Sequence, residues 1–131
     1  MVNTSGPLAT ILVVEDNPTN LMLARAVLEG QGYGVRSAGS GPELTEELKH
    51  TLPDLILMDI QLPGVDGLTL TRQLKSDGHT AHIPVIALTA YAMPGDAEKA
   101  IAAGCNGYIT KPFRPQNLVE EVAKMLAASK G

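Results

Sequence analysis

Apolar positions along this chain follow two rhythms that alternate five times: short continuous runs, then longer stretches with an apolar residue every three or four positions. Continuous runs rich in β-branched residues occupy about 10–14, 54–58 and 84–88. Strands covered by helices on both faces have this composition, because neither face meets water. The segment from Tyr33 to Ala38 is more mixed, as suits an edge strand. A fifth strand, Asn106 to Ile109, is placed mainly by the rhythm of the preceding units.

The intervening segments carry helix start and stop signals. Asn17-Pro18 offers an N-cap followed by proline at the first helical position. Leu21, Ala24 and Leu28 then share one face, and Gly30 and Gly32 stop the helix. Ser40-Gly41-Pro42-Glu43 matches a capping box ahead of Leu44 and Leu48. Asp66 can cap a third helix carrying Leu70 and Leu74, and an alanine-rich stretch from about Pro94 to Ala103 forms a fourth. The last helix, from about Pro115 to Ala128, carries Leu118, Val122, Met125 and Leu126 at helical spacing. The folded unit is therefore expected over 9–128, between a flexible segment 1–8 and a short tail 129–131.

Repeated strand–helix units imply parallel strands joined by right-handed crossovers, with helices on both faces. A closed barrel of this type needs roughly 250 residues, and this chain has 131. The expected fold is therefore an α/β, flavodoxin-like (βα)5 doubly wound sheet with strand order 2-1-3-4-5. In that order strands 1 and 3 are neighbours, and the carboxyl ends of all strands open onto one crevice where ligands bind. What stands at those ends then matters. Ile11–Val14 runs into Glu15-Asp16, Leu55–Met58 into Asp59, Val85–Leu88 into Thr89, and Tyr108–Thr110 into Lys111-Pro112.

Each residue alone has an ordinary explanation: an Asp after a buried strand as a turn residue, Glu-Asp-Asn-Pro as a helix cap, Lys111 as a solvated lysine. An acid pair, a lone acid, a hydroxyl and an amine in order on four strand ends make a different proposition. Two unit charges of like sign about 4 Å apart repel by about 4 kcal/mol at an effective dielectric of 20. Glu15, Asp16 and Asp59 side by side thus call for a divalent cation, and an all-oxygen donor set favours Mg²⁺ over zinc. Asp59 would supply a nucleophilic carboxylate oxygen, Lys111 a compact positive charge and Thr89 a small donor. Phosphoryl transfer asks mainly for positioning and charge neutralisation, so these parts are sufficient.

Composition narrows the partners. A net charge of −4, no basic cluster and 3% aromatics argue against direct nucleic-acid binding, which needs phosphate-neutralising cations and stacking platforms. The single cysteine, Cys105, rules out an internal disulfide framework and suits a reducing compartment. No apolar run approaches the ~20 residues that span a bilayer, and no signal peptide is visible at 1–10. A soluble, cytoplasmic protein is expected. His50, His79 and His82 follow no ligand spacing and are expected at the surface; Cys105 and the five methionines are expected as packing residues, and Tyr33 at the edge of the core.

The motifs ILVVEDN, PDLILMDIQLPGVDGL, IPVIALTA and GYITKPF, in that order, resemble the receiver domain of two-component response regulators across about residues 9–128. The wording, particularly EDNPTN and LTAYAMPGD, looks closest to stand-alone receivers and to receivers of hybrid histidine kinases. The resemblance implies that Asp59 is the phosphoacceptor for a phosphoryl group from phosphohistidine on a histidine kinase or phosphotransfer protein. It implies Asp16 as a direct Mg²⁺ ligand, Glu15 acting through water, and the backbone carbonyl of Gln61 completing the protein's ligands. Thr89 and Lys111 would hold the phosphoryl group, and the Lys111-Pro112 bond would be cis. Thr89 and Tyr108 would form a switch that changes affinity for a downstream target through the face of helix 4, strand 5 and helix 5. Tyr91 would shield the pocket, with small Ala90 leaving it room. Glu15 stands where aspartate is commoner in the family.

Two other classes compete. A haloacid-dehalogenase-type phosphatase also uses Asp, Thr, Lys and Mg²⁺, but resembles a DxD arrangement on its first strand, whereas here Asp59 lies on strand 3 with Gln61 two residues on. A phosphorylation-independent interaction module of the same fold would not require the full set Asp16, Asp59, Thr89 and Lys111. Flavin binding fits poorly, because the acidic Glu15-Asp16-Asn17 loop would repel a flavin phosphate. No DNA-binding or enzymatic segment accompanies the domain, so its output is expected to pass through another protein.

Overall fold

The central strands are apolar along their whole length because both of their faces are covered. In the computed structural model, β1 (Thr10–Val14), β3 (Leu55–Asp59) and β4 (Val85–Thr89) are buried almost throughout. β2 (Gly34–Ala38) and β5 (Gly107–Thr110) are half-buried edges. All neighbours pair in parallel in the order β2-β1-β3-β4-β5, as the alternation of runs predicts. The structure describes residues 9–62, 66–89, 95–111 and 113–130. Five helices intervene: α1 (Pro18–Gly30), α2 (Gly41–His50), α3 (Gly67–Ser76), α4 (Asp96–Ala103) and α5 (Pro115–Lys130). The last extends two residues beyond the expected Ala128.

The sheet separates two apolar clusters, since successive strand residues point to opposite faces. Ile11, Val13, Leu55, Leu57, Ile86, Leu88 and Ile109 face α1 and α5, where Ala24, Leu28, Leu118, Val122 and Leu126 close the layer. Leu12, Val14, Ile56, Met58, Val85 and Ala87 face α2, α3 and α4, where Leu44, Leu70, Leu74 and Ala100 meet them.

Helix starts follow the expected chemistry. Asn17 Oδ1 accepts from the amides of Thr19 (2.9 Å) and Asn20 (3.1 Å), and Asp66 Oδ1 from that of Thr69 (2.8 Å). Ser40 Oγ accepts from Glu43 N, but the return bond of the capping box shifts by one residue, because Glu43 Oε1 accepts from Gly39 N rather than Ser40 N. At the β2 edge, the Arg36 guanidinium reaches over α2, donating to Glu47 Oε1 (2.9 Å) and to Thr51 O (2.6 Å) at the helix end. One expectation fails: Met22 is 68% exposed on α1, because the i, i+3, i+7 stripe through Leu21, Ala24 and Leu28 turns the intervening position outward. Met58 is core and Met125 half-buried. Cys105 is buried and Tyr33 packs on the α1/α5 cluster, while the three histidines are exposed. Among the described residues, no helix is long and apolar enough to cross a membrane.

Candidate functional site: an acidic pocket at the carboxyl ends of the strands

The β1–β3 pairing aligns Val14 with Met58, so the residues that follow, Glu15 and Asp59, emerge next to each other. By pleat alternation both side chains continue the Ile11/Val13 and Leu55/Leu57 rows, on the α1/α5 side of the sheet. Glu15, Asp16 and Asp59 each offer a carboxylate oxygen within 4.8 Å of the others. Glu15 and Asp59 are buried, whereas Asp16 is exposed.

Lys111 follows β5 and is held by its amide, which donates to Thr89 O at 2.6 Å. Its ammonium lies between the two buried carboxylates, 2.7 Å from Glu15 Oε1 and 3.2 Å from Asp59 Oδ2. The approach to Glu15 is an ion pair outside regular hydrogen-bond geometry. Two backbone amides complete the local order: Asn17 N donates to Glu15 Oε2 (3.2 Å) and Gln61 N to Asp59 Oδ1 (2.9 Å). Burial pushes the Glu15 carboxyl above its ordinary value; the Lys111 ammonium opposes the rise and Asp59 adds to it. Three carboxylates against one ammonium leave the pocket two positive charges short of balance, the charge of one divalent cation. All donors are hard oxygens and one carboxylate stays open to solvent, which fits a cation that keeps part of its water shell.

Thr89, buried at the end of β4, belongs to the other face. It continues the Val85/Ala87 row and lines a crevice of about 350 Å³ with Ile60, Gln61, Leu68 and Lys99. Tyr108 shares that face, packs on the same cluster and stands opposite Ala87 in the β4–β5 register, so a small residue leaves its ring space. Glu15, Asp16, Asp59 and Lys111 therefore come together directly, with Thr89 at the neighbouring strand end and Tyr108 behind it. Gln61 is exposed, and its amide rather than its carbonyl is the group engaged with Asp59. Pro112, and with it the cis bond, lies outside the described residues, as do Ala90 and Tyr91.

Sequence reasoning missed Gly67. Its amide donates to Ile60 O at 2.8 Å, and a Cβ there would fall on the Asp59 carbonyl oxygen and lie 2.9 Å from Asp59 C and Ile60 Cα. Only a hydrogen in place of that Cβ lets the start of α3 press against the backbone of Asp59. The Asp-Gly pair at 66–67 is the only trace of this in the sequence.

The chain matches the family model described as the response regulator receiver domain over residues 11–123. It is 44% identical over 117 residues to the polar-differentiation response regulator DivK of Brucella ovis, covering 89% of this chain and 95% of that one. Among solved structures, the receiver domain of a sensor histidine kinase from Pseudomonas aeruginosa, with magnesium coordinated in its active-site cleft, is 36% identical with a TM-score of 0.83. That match covers 94% of this chain and 99% of the other. The signal receiver domain of a histidine kinase from Syntrophus aciditrophicus is also 36% identical, with a TM-score of 0.84, covering 92% and 91%.

Proposed function

The chain belongs to the response regulator receiver domain family, and from that premise we propose that it is a phosphorylation-controlled signalling switch of a two-component or phosphorelay pathway, with Asp59 as the acceptor. The observation that carries this reading is the Lys111 ammonium set between two buried carboxylates, one of them Asp59, beside a third that is exposed.

Asp16, Asp59, the backbone carbonyl of Gln61 and, through water, Glu15 would hold Mg²⁺, which when bound supplies charge neutralisation at a transferring phosphoryl group. An Asp59 carboxylate oxygen attacks phosphorus in line; the new O–P bond forms as the N–P bond of a partner's phosphohistidine breaks, and the imidazole keeps the electron pair. Gln61 N–H, bonded to Asp59 Oδ1, fixes the carboxylate plane and leaves Oδ2 to react. Lys111, 3.2 Å from Oδ2, turns from pairing with the carboxylate to pairing with a phosphoryl oxygen. Thr89 Oγ1 donates to another, and its movement makes room for Tyr108 on the shared face, altering the surface of α4, β5 and α5 that a target reads. Water attacking the acyl phosphate resets the domain, so its chemistry is its own modification rather than turnover of a metabolite. This activity belongs in the cytoplasm, with a histidine kinase or phosphotransfer protein as donor and a target protein as reader, without nucleic acid or membrane insertion.

Intact-mass spectrometry after incubation with acetyl phosphate tests the reading. A single phosphoryl adduct is expected that requires Mg²⁺ and disappears in Asp59→Asn. Mg²⁺ binding without an adduct would overturn it in favour of a phosphorylation-independent interaction module.

A further inference from the structure

At the end of the sheet opposite the carboxylates, the last turn of α3 places one ammonium among three acceptors. Lys75 Nζ donates to Ile83 O (2.7 Å), Asn106 Oδ1 (3.0 Å) and Ala81 O (3.2 Å). Asn106 Oδ1 also accepts from Val85 N at 3.0 Å, and Asn106 N donates to Val85 O at 2.7 Å. The side chain thus ties α3, the loop before β4, the first residue of β4 and the approach to β5. Its stem does a further job. Gly104, which caps α4 with φ 108°, lies so close that a Cβ there would be 2.7 Å from Lys75 Cγ. The amides that finish α4 are all bonded in this corner, Gly104 N to Ile101 O and Cys105 N to Ala100 O, both at 3.0 Å.

The other end of α4 is held differently. Its N-cap is Gly95, which has no side chain to accept from the first-turn amides. Ala97, Glu98 and Lys99 are exposed, while among the described side chains of this eight-residue helix the buried ones, Ala100 and Ala103, lie in its second half. Lys99 lines the same crevice as Thr89.

We propose that Lys75 is a positioning residue that pins the C-terminal end of α4, making the helix a lever hinged at Gly104 whose exposed first half lies beside Thr89. Part of the test rests on the proposed phosphorylation of Asp59; the hinge itself does not. Hinge movements turn about a few residues at the ends of elements, so a helix fixed at one end moves at the other in a defined direction.

The test is residue-resolved amide hydrogen exchange on the full chain, comparing wild type with Lys75→Met, which keeps the stem and removes the ammonium. In the unmodified wild type, the amides of Gly104, Cys105 and Asn106 should exchange at least about tenfold more slowly than those of Lys99 and Ala100. In Lys75→Met that difference should collapse, through faster exchange at 104–106 alone. Equal rates at both ends of wild-type α4, or protection at 104–106 unchanged in the variant, would overturn the hinge. If Lys75→Met does not fold, Asn106→Ser, which removes the oxygen shared by Lys75 and Val85, should give the same localised loss, and wild-type protection in it would count equally against the proposal. After acetyl phosphate treatment, with the adduct confirmed by mass, exchange should change at Lys99–Ala100 but not at 104–106. In the variant, carrying the same adduct, the change should spread to 104–106. Equal change at both ends of wild type would overturn the lever, whereas absence of the adduct would count against Asp59 phosphorylation and leave the hinge to the unmodified comparison.

Discussion

Replacing Gly67 with alanine should destabilise the domain and disturb the acidic pocket together, although alanine is the better helix former. The methyl group would overlap the Asp59 carbonyl oxygen and crowd Asp59 C and Ile60 Cα at 2.9 Å. None of these atoms can rotate away, because they are backbone at the end of a fully buried strand. Relief must come from lifting the start of α3, which stretches the Gly67 N to Ile60 O bond of 2.8 Å. Overpacking in well-filled interiors costs about 1–3 kcal/mol, and an immovable obstacle points to the upper part of that range. The gain from helix propensity, at most about 1 kcal/mol and less at a first helical position, does not offset it. A net loss of about 2 kcal/mol should lower Tm by roughly 8 °C for a domain of this size. Urea unfolding followed by circular dichroism gives the free energy, and an unchanged m value would show that the compactness of the two states is preserved. Gly30→Ala is the internal control: a Cβ there meets nothing within 4 Å, so the same substitution should be neutral or stabilise by up to about 1 kcal/mol. If Gly67→Ala proved neutral or stabilising, the close approach of α3 to Asp59 would be wrong.

Three further outcomes are expected. Asn17→Ala removes the acceptor of two first-turn amides and should cost about 1 kcal/mol in urea unfolding. Because the Glu15 carboxyl is raised in the folded state, that state holds the proton more tightly than the unfolded chain does. Its contribution is therefore fully present below the unfolded value of 4.5 and is lost as pH rises through the folded value. Wild type should accordingly gain stability relative to Glu15→Gln as pH is lowered from 7 towards 4.5, whereas a pH-independent difference would refute the burial argument. Mg²⁺ at about 100 times its Kd should stabilise the wild type by about 2.7 kcal/mol. Chelation should reverse that gain, and Asp16→Asn, which takes away the exposed carboxylate of the cluster, should weaken it.

The parts of this fold legible in the sequence are those where one physical requirement dominates. β1, β3 and β4 must be apolar on both faces, so their positions and even their order follow from composition and connection length. Caps at Asn17 and Asp66 are local chemistry and read just as directly. The candidate site was legible because the strand ends carry it, and the parallel register brings those ends together. What composition did not reveal is how the acid pair divides its labour: Glu15 is buried against Lys111, and Asp16 is the one that meets solvent. Register and side-chain length decide that, not residue type. Lys75 and Asn106 were invisible for a different reason. They are 31 positions apart, and neither carries a local signal, so only the assembled corner makes them neighbours. Gly67 likewise looks like any loop glycine until the Asp59 backbone is placed beside it.

The alternation of strand residues has a consequence for how this domain can diverge. Glu15, Asp59 and Lys111 belong to the rows that pack on α1 and α5, while Thr89 and Tyr108 belong to the rows that pack on α2, α3 and α4. A mutation deep in one layer is shielded from the other by the sheet itself, so each layer can drift under its own pressures. Within a gene library, odd-numbered positions of β1 and β3 and even-numbered positions of β4's Ile86–Leu88 segment would then tune the chemistry. Their alternates would tune the α4 part of the surface that a target reads, while its α5 part stays on the layer of the chemistry, with Thr89 as the narrow passage between the two.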